Sequence, residues 1–175
     1  NMVLLNMLDS IAAYYYAILG LPEAVPEVFR EHRLKGINYF APGKPMMELI
    51  ENQVYLAQGE YAKIIGRYES LKKVCDNMHY ALVSIHLKIQ AAGAYFMMKK
   101  AAEAEKLLAE ALSEAEPDGF IMPFVENYRY IREIIRIFSL KNASRLLDLI
   151  MENGKKYETN RAFLQNNAAR PQAVA

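Results

Sequence analysis

Apolar residues along this chain recur at i, i+3, i+4 and i+7, and nowhere do Val, Ile and Thr alternate with polar neighbours for long. Ala, Leu, Glu, Lys and Met carry most of the pattern, so its period is helical and the predicted fold class is all-α. Breakers cut it at Gly20-Leu21-Pro22, from Lys35-Gly36 through Pro42-Gly43-Lys44-Pro45, and at Gly59, Asn77, Glu116-Pro117-Asp118-Gly119 and Asn153-Gly154. Weaker breaks fall at Lys99-Lys100 and Ser139. The pattern predicts helices over 3–19, 22–34, 45–58, 60–76, 78–97, 99–115, 120–138 and 140–153, with a last one over 156–167. Residues 1–167 then form one helical-repeat domain, and 168–175 a flexible tail or linker with nothing to bury.

The pattern also repeats. An aromatic or apolar residue stands four places before a turn at Tyr16, Tyr55, Tyr95 and Ile135, and the turn residues are Gly20, Gly59, Lys99 and Ser139, so both series step by 39, 40 and 40. Five residues past each turn come Val25, Ile64, Ala104 and Ser144, where paired helices pack closely. Nine past it come Phe29, Tyr68 and Leu108, each large enough to reach the next repeat, with the fourth copy shifted to Leu147. About four antiparallel helix pairs follow. An ordinary antiparallel bundle with apolar faces of similar length is the competing architecture.

The best-formed pair runs from Ala91-Ala92-Gly93-Ala94-Tyr95-Phe96 through Lys99-Lys100-Ala101-Ala102-Glu103-Ala104 to Leu107-Leu108. It resembles a tetratricopeptide helix pair, as does Gly59-Glu60-Tyr61-Ala62-Lys63-Ile64-Ile65-Gly66-Arg67-Tyr68. A step near 40 exceeds the 34 of that repeat. Long Leu- and Tyr-rich helices at the longer step are similar to the superhelical sensor region of large LuxR-family, MalT-like transcriptional regulators, over roughly residues 3–155. The resemblance implies a right-handed superhelix of helix pairs in a cytoplasmic regulator, whose concave face holds an effector. In that family the superhelix lies between an ATP-binding segment and a C-terminal helix-turn-helix. No G-x-x-x-x-G-K-[ST] loop occurs here, and Pro42-Gly43-Lys44-Pro45 lacks its glycine spacing and flanking strand. Nothing after Asn153 has the length or charge of a DNA-reading unit, so the resemblance implies a fragment of a longer chain.

Composition narrows the class of role. Of 175 residues, 53% are hydrophobic and 23% charged, which is enough for one buried core, and a net charge of +1 without a basic block disfavours direct nucleic-acid contact. No apolar run reaches the length of a membrane span, and the apolar start at Met2-Val3-Leu4-Leu5 lacks the basic flank of a signal peptide. Cys75 is the only cysteine, so no intrachain disulfide forms, which suits a reducing cytoplasm.

In stacked repeats the first helix of each pair lines the concave surface. Counting back from the turns places Met7, Ser10, Ile11 and Tyr14 there, then Met46, Leu49, Ile50 and Gln53, then His86, Ile89, Gln90 and Gly93, and finally Glu126, Arg129, Tyr130 and Glu133. The ligand candidates among them are Met7, Ser10, Tyr14, Met46, Gln53, His86, Gln90, Glu126, Arg129, Tyr130 and Glu133, a groove grading from apolar-aromatic to charged. Aromatic and amide groups suit a sugar or another small polar ligand, against the alternative that they only pack between repeats. Tetratricopeptide adaptors clamp a peptide carboxylate with Lys and Asn at these positions, and both are missing.

Catalysis finds no foothold in the pattern: Cys75, His79 and His86 share a helical stripe without a completing ligand cluster, and no cofactor is implied. Glu103–Lys106 and Glu69–Lys73 read as helix-surface pairs. Tyr14-Tyr15-Tyr16 points three ways around a helix, so at least one ring must face away from its partner helix, and packing on the next or a preceding repeat is the favoured place for it. Phe120-Ile121-Met122-Pro123-Phe124 opens a helix and either caps the groove or staples the turn. Exposed apolar faces at the ends of such a stack also favour a homodimer. The expectation is a non-enzymatic module that senses a small-molecule effector or a protein partner, with a stand-alone peptide adaptor as the alternative.

Overall fold

The computed structural model describes residues 2–34, 43–141 and 144–168. The expected break from Lys35 to Pro42 and the tail past Ala168 lie outside them. Among the described residues every regular element is helical. Helix α1 spans Met2–Leu19, followed by a 3₁₀ turn at Pro22–Ala24 and the one-turn α2 at Glu27–Arg30. Then come α3 (Lys44–Gln58), α4 (Tyr61–Met78), α5 (Ala81–Met97), α6 (Ala101–Ala115), α7 (Met122–Glu126), α8 (Tyr128–Lys141) and α9 (Arg145–Ala168).

One device joins successive helices. Gly20, Gly59, His79, Lys99 and Gly119 all adopt left-handed backbone, with φ between 54° and 77°. At each, the next residue's N–H returns to a carbonyl five positions back: Leu21 to Tyr16, Glu60 to Tyr55, Tyr80 to Cys75, Lys100 to Tyr95 and Phe120 to Ala115, at 2.9–3.1 Å. This is the Schellman closure, which satisfies orphan carbonyls and reverses the chain. The tyrosines read as a repeat mark are therefore the residues whose carbonyls close the turn. From Gly59 to Gly119 the turns fall every 20 residues, two per repeat, and the turn expected near Asn77 sits at His79.

The helices pack as antiparallel neighbours with α5 at the centre, touching α3, α4, α6, α7 and α8. The first helices stand side by side, α1 on α3 and α3 on α5, while α4 and α6 flank them. The small run Ala91, Ala92, Gly93 and Ala94 lets this happen: a Cβ on Gly93 would lie 2.9 Å from the Tyr130 Cβ. Val25, Ile64 and Ala104, five past the turns, are buried, as are Phe29, Tyr68, Leu108 and Leu147. Ion pairs stitch neighbouring helices: buried Lys88 of α5 meets the exposed Glu114 of α6, and half-buried Arg67 of α4 meets both Glu48 and Glu51 of α3.

The repeat loses its regularity toward both ends. The helix expected over 22–34 is broken, because Pro26 has no N–H to donate and His32 turns left-handed at φ 55°. The helix expected over 120–138 is split at buried Asn127, whose side-chain amide donates to the Pro123 carbonyl at 2.9 Å and competes with the backbone ladder. Ser139 makes no turn, and α8 runs on to Lys141. Nor does Gly154 break the chain: the two helices expected over 140–153 and 156–167 are the single α9. Gly154 serves packing instead, since a Cβ there would stand 2.5 Å from the Tyr128 ring. Past that crossing α9 meets the first pair again, where the Gln165 amide donates to the Gly20 carbonyl at 3.2 Å.

Candidate functional site

A groove of about 570 Å³ opens along the middle of α1 and the N-terminal halves of α3 and α5 and ends on Glu126 of α7. The parallel first helices build it: Met7, Ser10 and Tyr14 share a stripe on α1, Met46 and Ile50 on α3, and Leu82 and His86 on α5, each at helical spacing. Most of the lining is apolar, and no lysine or arginine belongs to it among the described residues.

Its polar groups are few. The Tyr14 hydroxyl donates to the Glu126 carboxylate at 2.5 Å, linking the first helix pair to the last. Burial raises the Glu126 pKa and outweighs the opposing effect of that hydrogen bond. Burial and the adjacent Glu126 raise the Tyr14 phenol as well, so its proton stays in place. Tyr157 of α9, beside the same carboxylate, is pushed up to about 12, chiefly by burial. His86 is pushed down to about 4 by burial, so its ring is neutral at neutral pH, and its buried Nδ1 has no hydrogen-bond partner. The Ser10 hydroxyl donates to the Met7 carbonyl at 2.7 Å, so its proton is already used.

Six of the eleven expected ligand residues meet in this groove: Met7, Ser10, Tyr14, Met46, His86 and Glu126. The other five are elsewhere. Gln53 and Gln90 are fully buried; the Gln90 amide donates to the Gln53 side chain at 2.9 Å and to the Leu49 carbonyl at 3.0 Å, so these amides knit α3 to α5. Tyr130 is buried against Gly93. Arg129 lies over the Tyr130 ring, 4.9 Å from its centroid. Glu133 pairs with Arg136 at 3.2 Å and Arg132 at 3.7 Å. The expected gradation into a charged groove end is thus replaced by a core contact and a surface ion pair.

Tyr15, Met47, Leu82 and Val83 line the groove without having been singled out as ligand candidates. Of the Tyr14-Tyr15-Tyr16 triplet, Tyr14 and Tyr15 line the groove, and Tyr15 and Tyr16 are exposed instead of packing on a further repeat. Leu82 stands one turn before His86 on the same stripe of α5, and helical spacing extended by that turn would have found it. The Cys75, His79, His86 stripe is dispersed: Cys75 is buried, His79 is an exposed turn residue and His86 faces the groove. No group of three or more His, Cys, Asp or Glu among the described residues is placed to hold a metal ion. Neither Glu103–Lys106 nor Glu69–Lys73 forms an ion pair among the described residues; Lys72 pairs with Asp76 at 2.5 Å instead. No described helix is long and apolar enough to cross a membrane.

Comparison with models of protein families, with curated proteins and with solved structures found no match to the chain. The functional reading therefore rests on the groove itself.

Proposed function

We propose that this chain is a non-enzymatic sensing module that holds a small-molecule effector in the groove between α1, α3 and α5. The observation carrying the reading is that three first helices present exposed apolar side chains to one shared cavity: Met7 is 56% exposed, Ile11 51%, Met46 42% and Leu82 44%. Water contact with so much apolar surface in one place is unfavourable, and an occupant removes it. The 40-residue spacing of the turns at Gly59 and Lys99, and of those at His79 and Gly119, supports a right-handed superhelix of tetratricopeptide type. By resemblance its setting is a LuxR-family, MalT-like regulator in the cytoplasm, with binding energy shifting the parent protein between inhibited and active forms. A peptide adaptor has less behind it, because the groove offers no cation for a peptide carboxylate.

Displacement of the neutral fluorophore Nile red from the purified chain tests the groove. Leu82→Asp and Ile11→Asp change exposed wall residues and are expected to weaken dye binding about tenfold with little change in melting temperature. Undiminished binding in both variants rules the groove out. For the regulator setting, a coding sequence that continues past Ala175 into a helix-turn-helix supports the proposal, and a stop codon there defeats it.

A further inference from the structure

The groove is chemically lopsided. Its walls are methionine, leucine, isoleucine and tyrosine, yet it contains one carboxylate and no compensating cation among the described residues. Tyr14 occupies only Oε2 of Glu126, and Oε1 has no hydrogen-bond partner among the described residues. His86 lines the same cavity, but its Nδ1 is buried away from solvent and is not offered to a ligand. A ligand that seals the groove strips water from the free Glu126 oxygen and must replace it with a donor.

Three ligand classes fail that requirement. A sugar needs many polar partners, and the two amides that seemed to supply them, Gln53 and Gln90, are spent on each other. A carboxylate or phosphate would sit beside Glu126 with no cation to offset the repulsion. A purely apolar molecule would leave the free Oε1 of Glu126 dry and without a donor. The cavity volume falls in the range of small-molecule sites, roughly 300–1,000 Å³.

We infer that the groove takes a small cationic amphiphile, with its apolar body against Met7, Met46 and Leu82 and its ammonium group donating to Glu126. This rests on the groove proposed above as the ligand site and narrows what it binds.

The test is isothermal titration of the full chain with octylammonium, octanol and octanoate at one ionic strength, and with hexyl- and decylammonium for chain length. Octylammonium is expected to bind about tenfold or more tighter than octanol, the increment of a charge-assisted hydrogen bond, with octanoate weakest. Each methylene should tighten binding by roughly two- to fourfold. In Glu126→Gln the ratio of ammonium to alcohol affinity should fall to near one. Octanol binding as tightly as octylammonium, or a ratio that survives Glu126→Gln, overturns the inference while leaving the groove reading standing. Failure of all probes, together with failure of Nile red, defeats both. Should Glu126→Gln lose its helical circular dichroism, Tyr14→Phe decides: it frees the second carboxylate oxygen, so a ratio at or above wild type supports the inference and a ratio near one ends it.

Discussion

Protonating His86 should loosen the fold from inside the groove wall. Burial holds its ring at about 4 against an ordinary 6.5, so the native state resists a proton that the unfolded chain accepts. With the folded value depressed, the neutral ring's advantage is complete above pH 6.5 and is lost as pH falls from there toward 4. The span of the shift corresponds to roughly 3 kcal/mol, of which about 2 is expected near pH 4.5, where pH has crossed most but not all of the interval between the two values. Wild-type stability alone will not reveal it. Glu126 is raised and Glu51 is pushed up to about 7 by burial, and acids shifted that way bind protons more readily when folded, which stabilises the native state over the same interval. The difference between wild type and His86→Phe cancels those contributions. Phenylalanine keeps the ring and removes the unpartnered Nδ1, so at pH 7 the variant should be as stable as wild type or slightly more so. By about pH 4.5 urea denaturation should show it ahead by a further ~2 kcal/mol. Stability curves that run parallel from pH 7.5 to 4.5 would refute the placement of His86.

Other perturbations probe the turns, the crossing and the stitches. Lys99 holds φ 65° without being glycine, so Lys99→Gly should stabilise by about 0.5–1 kcal/mol in thermal unfolding, and a loss would show that the turn is not left-handed. Gly154→Ala pushes a methyl into the Tyr128 ring and should cost about 1–2 kcal/mol after its gain in helix propensity, whereas Gly66→Ala on the open face of α4 should gain about 0.5–1; equal signs for the two would contradict the crossing of α8 and α9. Glu114→Ala strands the buried Lys88 ammonium and should destabilise by about 2 kcal/mol, while Lys88→Met should be near neutral, as measured by chemical denaturation.

The turns were legible because one physical requirement leaves one sequence mark. A helix that reverses after about 18 residues needs a left-handed residue just past its end, and Gly20, Gly59 and Gly119 advertise it. Lys99 adopts the same geometry with no such mark, and only the step of 40 gave it away. His79 was missed by two residues for want of either. Where glycine and asparagine served other needs, the reading failed. Gly154 looks like a terminator, yet its absent side chain makes room for Tyr128, and Asn127 gives no warning that its amide will interrupt a ladder. Such uses depend on a neighbour far away in sequence.

The same distinction explains why α3 and α5 were assigned correctly as groove only in their N-terminal halves, while every assigned position of α1 lines it. His86, Gln90 and Gly93 lie on one stripe of α5, and helical spacing gives them equal claim to the concave face. What separates them is what stands opposite. Tyr130 closes onto Gly93 and Gln53 onto Gln90, so the stripe passes from open wall to interhelical seam within about one turn of His86. That closure removes the amides from the site, leaves Glu126 and His86 as its main polar features, and turns an expected polar-ligand groove into an apolar one with a single acidic end. The chemistry of the groove is therefore set as much by which inner residues the stack consumes as by which it leaves open.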